Sequence, residues 1–170
     1  MAEHHVFSAK SLYQKHIDIV TVLFWRRDWE ALPLHLEVPG FLQTPETAPQ
    51  RIDSHADLLE RVAQKRAMLD EMDVTDYHRI CEAAEFTDPA RTKIEGRHRT
   101  FVLQRGVVLL DPYLCEMPLV LRDGVWKSAG YRTSLRNGDF RAAPRSFAYG
   151  LMTPAGQSPV DHKDQGVTKA

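Results

Sequence analysis

The hydrophobic periodicity of this sequence changes once, at Val74, from the spacing of helices to the two-residue spacing of strands. Before that point, residues 11–32 and 53–72 carry apolar side chains at helical intervals, with Ser11 and Ser54 or its neighbour available as caps. Four strands are predicted beyond it, at residues 74–86, 92–106, 107–124 and 125–138. Helices that precede strands predict an α+β domain, with helices packed on one face of an antiparallel sheet.

Turn-forming residues divide the predicted elements. Asp123 and Gly124 lie between two apolar runs, and Asp-Gly favours a two-residue hairpin because both central positions of a type I′ turn need positive φ. Residues 32–50 contain four prolines, which exclude a long helix and predict a loop with a short extended piece at residues 35–38. Gly96, inside the second predicted strand, indicates a bulge or a bend.

Composition excludes several classes of function. The 170 residues carry a formal net charge of −1 at pH 7, which gives no electrostatic attraction to nucleic acid or to an anionic membrane. The longest apolar run, residues 19–25, is far shorter than the roughly 20 residues of a membrane span. Two cysteines without a CxxC motif argue against a disulfide scaffold and a structural zinc site. Because no signal peptide is recognisable either, we expect a cytoplasmic protein without nucleic-acid or membrane partners.

Four segments occur in an order that is informative as a set. They are FWRRDWEAL at residues 24–32, LHLEVPGFLQT at 34–44, SHADLLERVAQKRAML at 54–69 and LVLRDGVWKSAGYRT at 119–133. This order resembles the NTF2-like (SnoaL-like, cystatin-type cone) superfamily. The resemblance implies a curved antiparallel sheet of about four long strands, wrapped on N-terminal helices to form a cone with an internal pocket. It also implies a homodimer through the outer face of the sheet.

The resemblance divides the chain into three parts and leaves its function open. Residues 1–10 would form an N-terminal extension, 11–138 the NTF2-like domain, and 139–170 a partly mobile C-terminal extension rich in Gly, Pro and polar residues. The superfamily includes ketosteroid isomerases, polyketide cyclases, dehydratases, ring-hydroxylase small subunits, transport factors and binding-only modules. The sequence contains no HExxH, GxGxxG, phosphate-loop or GxSxG motif. Function must therefore be argued from the site.

The first predicted strand places titratable residues on both of its faces. Tyr77, Arg79 and Cys81 share one face, and His78 and Ile80 share the other. Because one face must look into the cone, a titratable group lies among apolar neighbours in either register. Such surroundings shift a pKa and support general acid–base chemistry. The alternative is a hydrogen-bonded core residue or a dimer interface.

The second predicted strand offers a histidine on one face and arginines on the other. His98 is favoured as a pocket residue. Arg97 and Arg99 could bind a carboxylate, or could lie at an interface with buried stems. A histidine would remove a proton next to a carbonyl, and a tyrosine or an arginine would hold the developing oxyanion. The predicted catalytic residues are His78, His98 and Tyr77.

The third predicted strand carries an apolar stripe. Tyr113, Cys115 and Met117 alternate on one face, which suits either the wall of a pocket for a hydrophobic ligand or plain core. His35 lies in the proline-rich segment near the expected pocket mouth. The predicted substrate-binding residues are His35, Trp25, Tyr113, Cys115, Met117, Trp126 and Arg99. No metal and no cofactor are predicted.

Two hypotheses follow. The first is a small-molecule-binding protein that acts as a cofactor-independent isomerase, dehydratase or cyclase on a small, mainly apolar carbonyl compound. The second is a non-catalytic dimeric module that binds a ligand or a protein. Strand geometry separates them: His78, His98, Tyr113 and His35 should converge on one cavity in the enzyme, whereas positions on the outer face contradict it.

Overall fold

The structure, a computed structural model, describes residues 7–136 and residue 139. This part contains two α-helices, one short 3-10 helix and eight strands. The helices are α1 (Ala9–Arg26), the 3-10 turn (Leu32–His35) and α2 (His55–Glu71). The strands are β1 (Gly40–Gln43), β2 (Gln50–Ile52), β3 (Asp76–Phe86), β4 (Lys93–Gln104), β5 (Val107–Val108), β6 (Tyr113–Arg122), β7 (Val125–Ser128) and β8 (Tyr131–Thr133). The predicted C-terminal extension lies outside the described residues, apart from residue 139.

Caps define both long helices. Ser8, rather than the predicted Ser11, caps α1, and its hydroxyl accepts the backbone N–H of Ser11 at 3.1 Å. Ser54 caps α2 and accepts from the N–H of Asp57 at 3.2 Å. The first helix ends earlier than predicted because Arg27 adopts a left-handed conformation with φ of 57°.

The proline-rich segment is more structured than the sequence suggested. A 3-10 turn with Pro33 in its first turn ends at His35, and the predicted extended piece at residues 35–38 is confined to the residues just after it, where Leu36 is extended and forms an isolated bridge with Ser128. Strands β1 and β2 follow and pair antiparallel, with Phe41 opposite Arg51. Pro45 and Pro49 lie between these two strands, where no ladder N–H is needed.

Two-residue turns organise the later strands. Asp123 and Gly124 have φ values of 50° and 78°, and β6 pairs with β7 across them, so the predicted hairpin is confirmed. A second turn of this kind, at Arg105 and Gly106, was not predicted; it pairs β4 with the two-residue strand β5. The third predicted strand, residues 107–124, is observed as β5 and β6. The fourth, residues 125–138, is observed as β7 and β8.

Within residues 7–136 the strands form one curved, open sheet in the order β2-β1-β8-β6-β4-β3, with β5 beside β4 and β7 beside β6. The α+β architecture predicted from the sequence is confirmed. The sheet is mixed rather than wholly antiparallel, because β1 runs parallel to β8, with Leu42 opposite Tyr131. Its long strands are β3, β4 and β6.

Both helices pack on one face of this sheet. One core cluster joins Phe24 of α1 and Met68 of α2 to Tyr77, Val102 and other residues of the sheet. A second cluster joins the first half of α1 to the far ends of β3, β4 and β6. No helix among the described residues is long and apolar enough to cross a membrane.

A bulge in β3 sets which side chains face the helices. The register between β3 and β4 shifts between Cys81 and Ala83, so that Glu82 is the extra residue. The predicted irregularity at Gly96 has a different cause. A Cβ at Gly96 would lie 2.3 Å from Cε2 of Tyr13, so the glycine makes room for a buried ring of α1.

Candidate functional site

A cavity of about 190 Å³ lies between the helices and the inward face of the sheet. Its wall draws residues from both helices, the 3-10 turn and six of the strands. The large apolar side chains are Val20, Phe24, Leu32, Leu36, Phe41, Leu42, Ile52, Leu58, Val62 and Met117. The polar and charged side chains are Glu37, Arg61, Lys65, Tyr77, Arg79, Ser128 and Tyr131. The cavity therefore suits a small, mainly apolar molecule with one polar end.

Tyr77 is the centre of the polar part of the wall. Lys65 Nζ donates to the Tyr77 hydroxyl at 3.0 Å, and the hydroxyls of Tyr77 and Tyr113 lie 3.4 Å apart. The indole of Trp25 lies nearly parallel to the Tyr77 ring, with centroids 6.3 Å apart. These contacts hold the Tyr77 oxygen in one position at the cavity.

Charge makes Tyr77 unlike the other tyrosines around it. Burial raises the pKa of Tyr77, but the cations of Lys65 and Arg79 outweigh burial and lower this pKa below its usual value. Burial and the neighbouring Tyr77 raise the pKa of Tyr113 instead. Burial also raises the pKa of Tyr131. Tyr77 is therefore the phenol of this group that gives up or shares its proton most readily.

Arg79 is fixed from the side of α1. Its Nε donates to Thr21 Oγ1 at 2.7 Å, and its Nη2 donates to the carbonyl of Ile17 at 3.0 Å. Its guanidinium lies 5.9 Å from the centre of the Tyr77 ring. Among the described residues, neither Arg79 nor Lys65 forms an ion pair.

Glu37 is the one acidic residue of the cavity wall, within the part of the chain that the structure describes. It follows the 3-10 turn, and its backbone N–H donates to the carbonyl of Ser128 at 2.9 Å. Arg122 Nε lies 3.1 Å from Glu37 Oε1, and the Glu37 side chain is 24% exposed. From the sequence no carboxylate is convincingly placed as a base, with Asp76 the nearest candidate, whereas Glu37 reaches the wall from an irregular segment.

Cys115 lies under the cavity wall rather than in it. It is fully buried, and its Sγ is 2.8 Å from the hydroxyl of Tyr131, which does line the cavity. The Thr100 hydroxyl lies 3.6 Å from the same sulfur. Cys115 thus supports a wall residue.

His98 is fully buried. Its Nδ1 lies 2.8 Å from the Tyr13 hydroxyl, and its Nε2 is buried without a hydrogen-bond partner among the described residues. Burial, with help from the charge of Arg79, lowers the pKa of His98 to about 3, so the ring is neutral at physiological pH. His98 is not part of the cavity wall.

None of the four residues expected to converge on one cavity, His78, His98, Tyr113 and His35, is part of the cavity wall, so that expectation is not met. Two of the ten predicted site residues line the cavity, and others contact a residue of its wall. Tyr77 and Met117 line the cavity. Trp25 and Tyr113 contact Tyr77 directly, and Cys115 contacts Tyr131.

Two predicted site residues, His78 and Arg99, lie on the outer face of the sheet, away from the cavity, which corrects the prediction. His78 is exposed, because β3 turns Tyr77, Arg79 and Cys81 toward the helices and therefore turns His78 and Ile80 outward. Arg99 is also on the outer face, where its Nε lies 2.6 Å from Glu82 Oε1. Homodimer formation through this face stays a prediction.

His35 and Trp126 lie close to each other but outside the cavity wall. The His35 ring is 6.1 Å from the ring of His16, and Trp126 packs against Phe86 at 6.5 Å. Burial lowers the pKa of His35. These residues belong to a neighbouring part of the core.

Four wall residues were not predicted from the sequence: Lys65, Arg61, Phe41 and Tyr131. A signal was available for Lys65, which falls on the apolar stripe of α2 where a cation is unexpected. No such signal marks Phe41, because its position depends on the pairing of β1 with β8. Among the described residues, no group of three or more His, Cys, Asp or Glu is placed to hold a metal ion.

Comparisons with known proteins rest on structure alone, since no family model and no curated protein matches this sequence. An NTF2-like protein of unknown function from Shewanella oneidensis is similar with a TM-score of 0.55 and 9% identity, over 74% of this chain and 98% of that chain. An NTF2-like protein with a cystatin-like fold from Novosphingobium aromaticivorans gives 0.54 and 15%, over 85% and 89%. The beta subunit of benzoate 1,2-dioxygenase from Burkholderia mallei gives 0.52 and 12%, over 75% and 91%. At such identities the likeness concerns the fold, and this chain has the NTF2-like, cystatin-type cone fold that its sequence resembles.

Proposed function

We propose that this protein binds a small, mainly apolar carbonyl compound and catalyses proton transfer on it without a cofactor, as an isomerase, dehydratase or cyclase does. The observation that carries the proposal is the Tyr77 hydroxyl at the cavity, with Lys65 Nζ at 3.0 Å and a lowered pKa. A phenol of lowered pKa at the polar end of an apolar cavity suits a carbonyl oxygen that gains negative charge.

Tyr77 has the role of the acid in this proposal. Its O–H donates a hydrogen bond to the substrate carbonyl oxygen and shares its proton as the oxygen becomes negative. Lys65 and Arg79 stabilise the charge wherever the proton lies, because both cations are close to the Tyr77 ring, at 5.4 Å and 5.9 Å from its centre. Removing one such donor typically lowers kcat by about 100-fold to 1,000-fold.

Glu37 has the role of the base. Glu37 is an acidic residue of the cavity wall, and in this proposal its carboxylate accepts the proton from the carbon next to the carbonyl. Neither predicted histidine suits this role, because His78 is on the outer face and His98 does not reach the cavity. The Arg122 contact at 3.1 Å orients the carboxylate.

The test is deuterium exchange of phenylacetone in D₂O, followed by proton NMR. We expect the wild-type protein to accelerate exchange next to the carbonyl, and Tyr77→Phe and Glu37→Gln to lower the rate by at least about 100-fold each. Tyr13→Phe and Glu116→Gln are matched controls. Tyr13 is a buried tyrosine away from the cavity, and Glu116 is paired with Arg132 at 2.8 Å.

The controls also decide between alternatives. A rate that falls with Tyr13→Phe but not with Tyr77→Phe would place the chemistry on His98 and contradict the roles given above. Binding of phenylacetone without any exchange by wild-type protein would support the second hypothesis, a non-catalytic ligand-binding module.

A further inference from the structure

Two positive charges face the cavity without a negative partner. Lys65 and Arg79 both line it, and their contacts are with neutral groups: the Tyr77 phenol for Lys65, and Thr21 and the Ile17 carbonyl for Arg79. Within the described part of the chain, neither makes a contact with a carboxylate within ion-pair distance.

The remaining charged groups of the wall already have partners. Arg61 Nε lies 3.1 Å from Asp57 Oδ1, and Glu37 Oε1 lies 3.1 Å from Arg122 Nε. Each of these two ion pairs has no net charge. Lys65 and Arg79 therefore give the cavity an excess of positive charge, of which an ionised Tyr77 could balance only one.

A positive charge beside an apolar cavity is unfavourable unless an anion binds close to it. Lys65 and Arg79 are each half-buried, and most of the other side chains of the wall are aliphatic or aromatic. Charged groups removed from water need an opposite charge or hydrogen bonds to balance their lost hydration. The wall offers hydrogen-bond acceptors for only some of their N–H groups.

Donors are left over for a ligand. A lysine ammonium has three N–H groups and an arginine guanidinium has five. Lys65 uses one on Tyr77, and Arg79 uses its Nε and one N–H of Nη2, which leaves Nη1 without a partner among the described residues. The two oxygens of a planar carboxylate match two parallel N–H groups of a guanidinium edge.

From these contacts we infer that the ligand of this cavity carries a carboxylate, bound by Lys65 and Arg79, on a small apolar body. The inference rests on the pocket of the proposed function and narrows its substrate to a carboxylic acid. The body must be small, because about 190 Å³ is below the roughly 300–1,000 Å³ of sites for drug-sized ligands. A carboxylate beside Tyr77 also opposes ionisation of that phenol, so binding should raise the pKa of Tyr77.

The first experiment compares hexanoate with hexanamide, which has nearly the same shape and no charge, by isothermal titration calorimetry at low salt. We expect hexanoate to bind the wild-type protein at least tenfold more tightly. Lys65→Met should reduce this preference at least severalfold, because one of the two cations is removed while Arg79 remains. Lys93→Met, an exposed lysine of β4, is the matched control and should keep the preference.

The second experiment follows tyrosinate absorbance during a pH titration. In the free protein, one tyrosine should ionise below the usual range, and Tyr77→Phe should remove that step. Hexanoate should move the step to higher pH, whereas hexanamide should not. Circular dichroism spectra of all variants establish that each is folded.

The outcomes separate this inference from the proposed function. Equal binding of hexanoate and hexanamide, no binding of hexanoate, or a preference that is undiminished in Lys65→Met would each overturn the inference. Equal binding together with Tyr77-dependent exchange of phenylacetone would still support the proposed chemistry. A preference for hexanoate without any deuterium exchange of phenylacetone would support the carboxylate ligand and contradict the proposed proton transfer.

Discussion

A methyl group at Gly96 should destabilise the protein through a contact that only the folded chain contains. The Cβ of an alanine there would lie 2.3 Å from Cε2, 2.4 Å from Cδ2 and 2.8 Å from Cζ of Tyr13. The Tyr13 ring is fully buried, and its hydroxyl is held 2.8 Å from His98 Nδ1, so the ring has no free space into which it can move.

The magnitude follows from three contributions. Overpacking of a filled core costs about 1–3 kcal/mol. Loss of the hydrogen bond between Tyr13 and His98 adds about 1 kcal/mol, because a buried polar group loses its partner. Reduced freedom of the unfolded chain offsets about 0.4–1 kcal/mol, as for any Gly→Ala change. Gly96→Ala should therefore lower the free energy of unfolding by about 1–4 kcal/mol.

Urea unfolding followed by circular dichroism measures this loss. The exposed neighbour Arg97→Ala is the control for a change in β4 and should lie within about 0.5 kcal/mol of wild type. In a Tyr13→Ala background the cost of Gly96→Ala should vanish, because the ring that it strikes is gone. A Gly96→Ala protein as stable as wild type, or a cost that persists without the Tyr13 ring, would refute this account of the glycine.

Two further predictions concern the cavity and the buried histidines. An alanine at position 130 would place its Cβ 2.1 Å from Cε1 of Phe41, which lines the cavity and is only half-buried. Gly130→Ala should therefore push this ring into the cavity and weaken hexanoate binding at least tenfold by calorimetry, with a change in unfolding free energy below about 1 kcal/mol. Burial lowers the pKa of both His16 and His98 to about 3, whereas an unfolded chain has His near 6.5. Above pH 6.5 both rings are neutral in the folded and in the unfolded protein. As the pH falls from 6.5 toward 3, the unfolded chain binds protons that the folded protein does not, so the free energy of unfolding decreases by up to about 1.4 kcal/mol per pH unit for each ring. Urea titrations between pH 7 and 4 should show a smaller loss for His98→Gln than for the wild-type protein.

Local sequence was sufficient for the elements themselves. Serine caps and helical periodicity located α2 to within a residue or two, and the Asp-Gly pair located the hairpin between β6 and β7. Alternation along β6 also identified its buried face, with Tyr113, Cys115 and Met117 inward. These features depend on residues a few positions apart, so they can be read from the sequence.

The inward face of β3 could not be read in this way. Tyr77 and His78 occupy opposite faces, and both faces carry polar and apolar residues, so alternation alone does not choose between them. The choice is made by contacts with α1 and α2, where Phe24 and Lys65 meet Tyr77. The prediction of His78 as a base was wrong in position for this reason.

The cavity depends on tertiary structure to a still greater degree. Glu37, Phe41, Lys65 and Tyr131 come from segments far apart in the chain, and β1 joins the sheet beside β8 through a parallel pairing that no local pattern indicates. The sequence by itself determined that two long helices precede the main strands, the Asp123–Gly124 hairpin and the α+β class, because short-range periodicity and backbone preferences set them. Tertiary structure decided which side chains meet at the cavity, because that depends on the packing of distant elements against one face of the sheet.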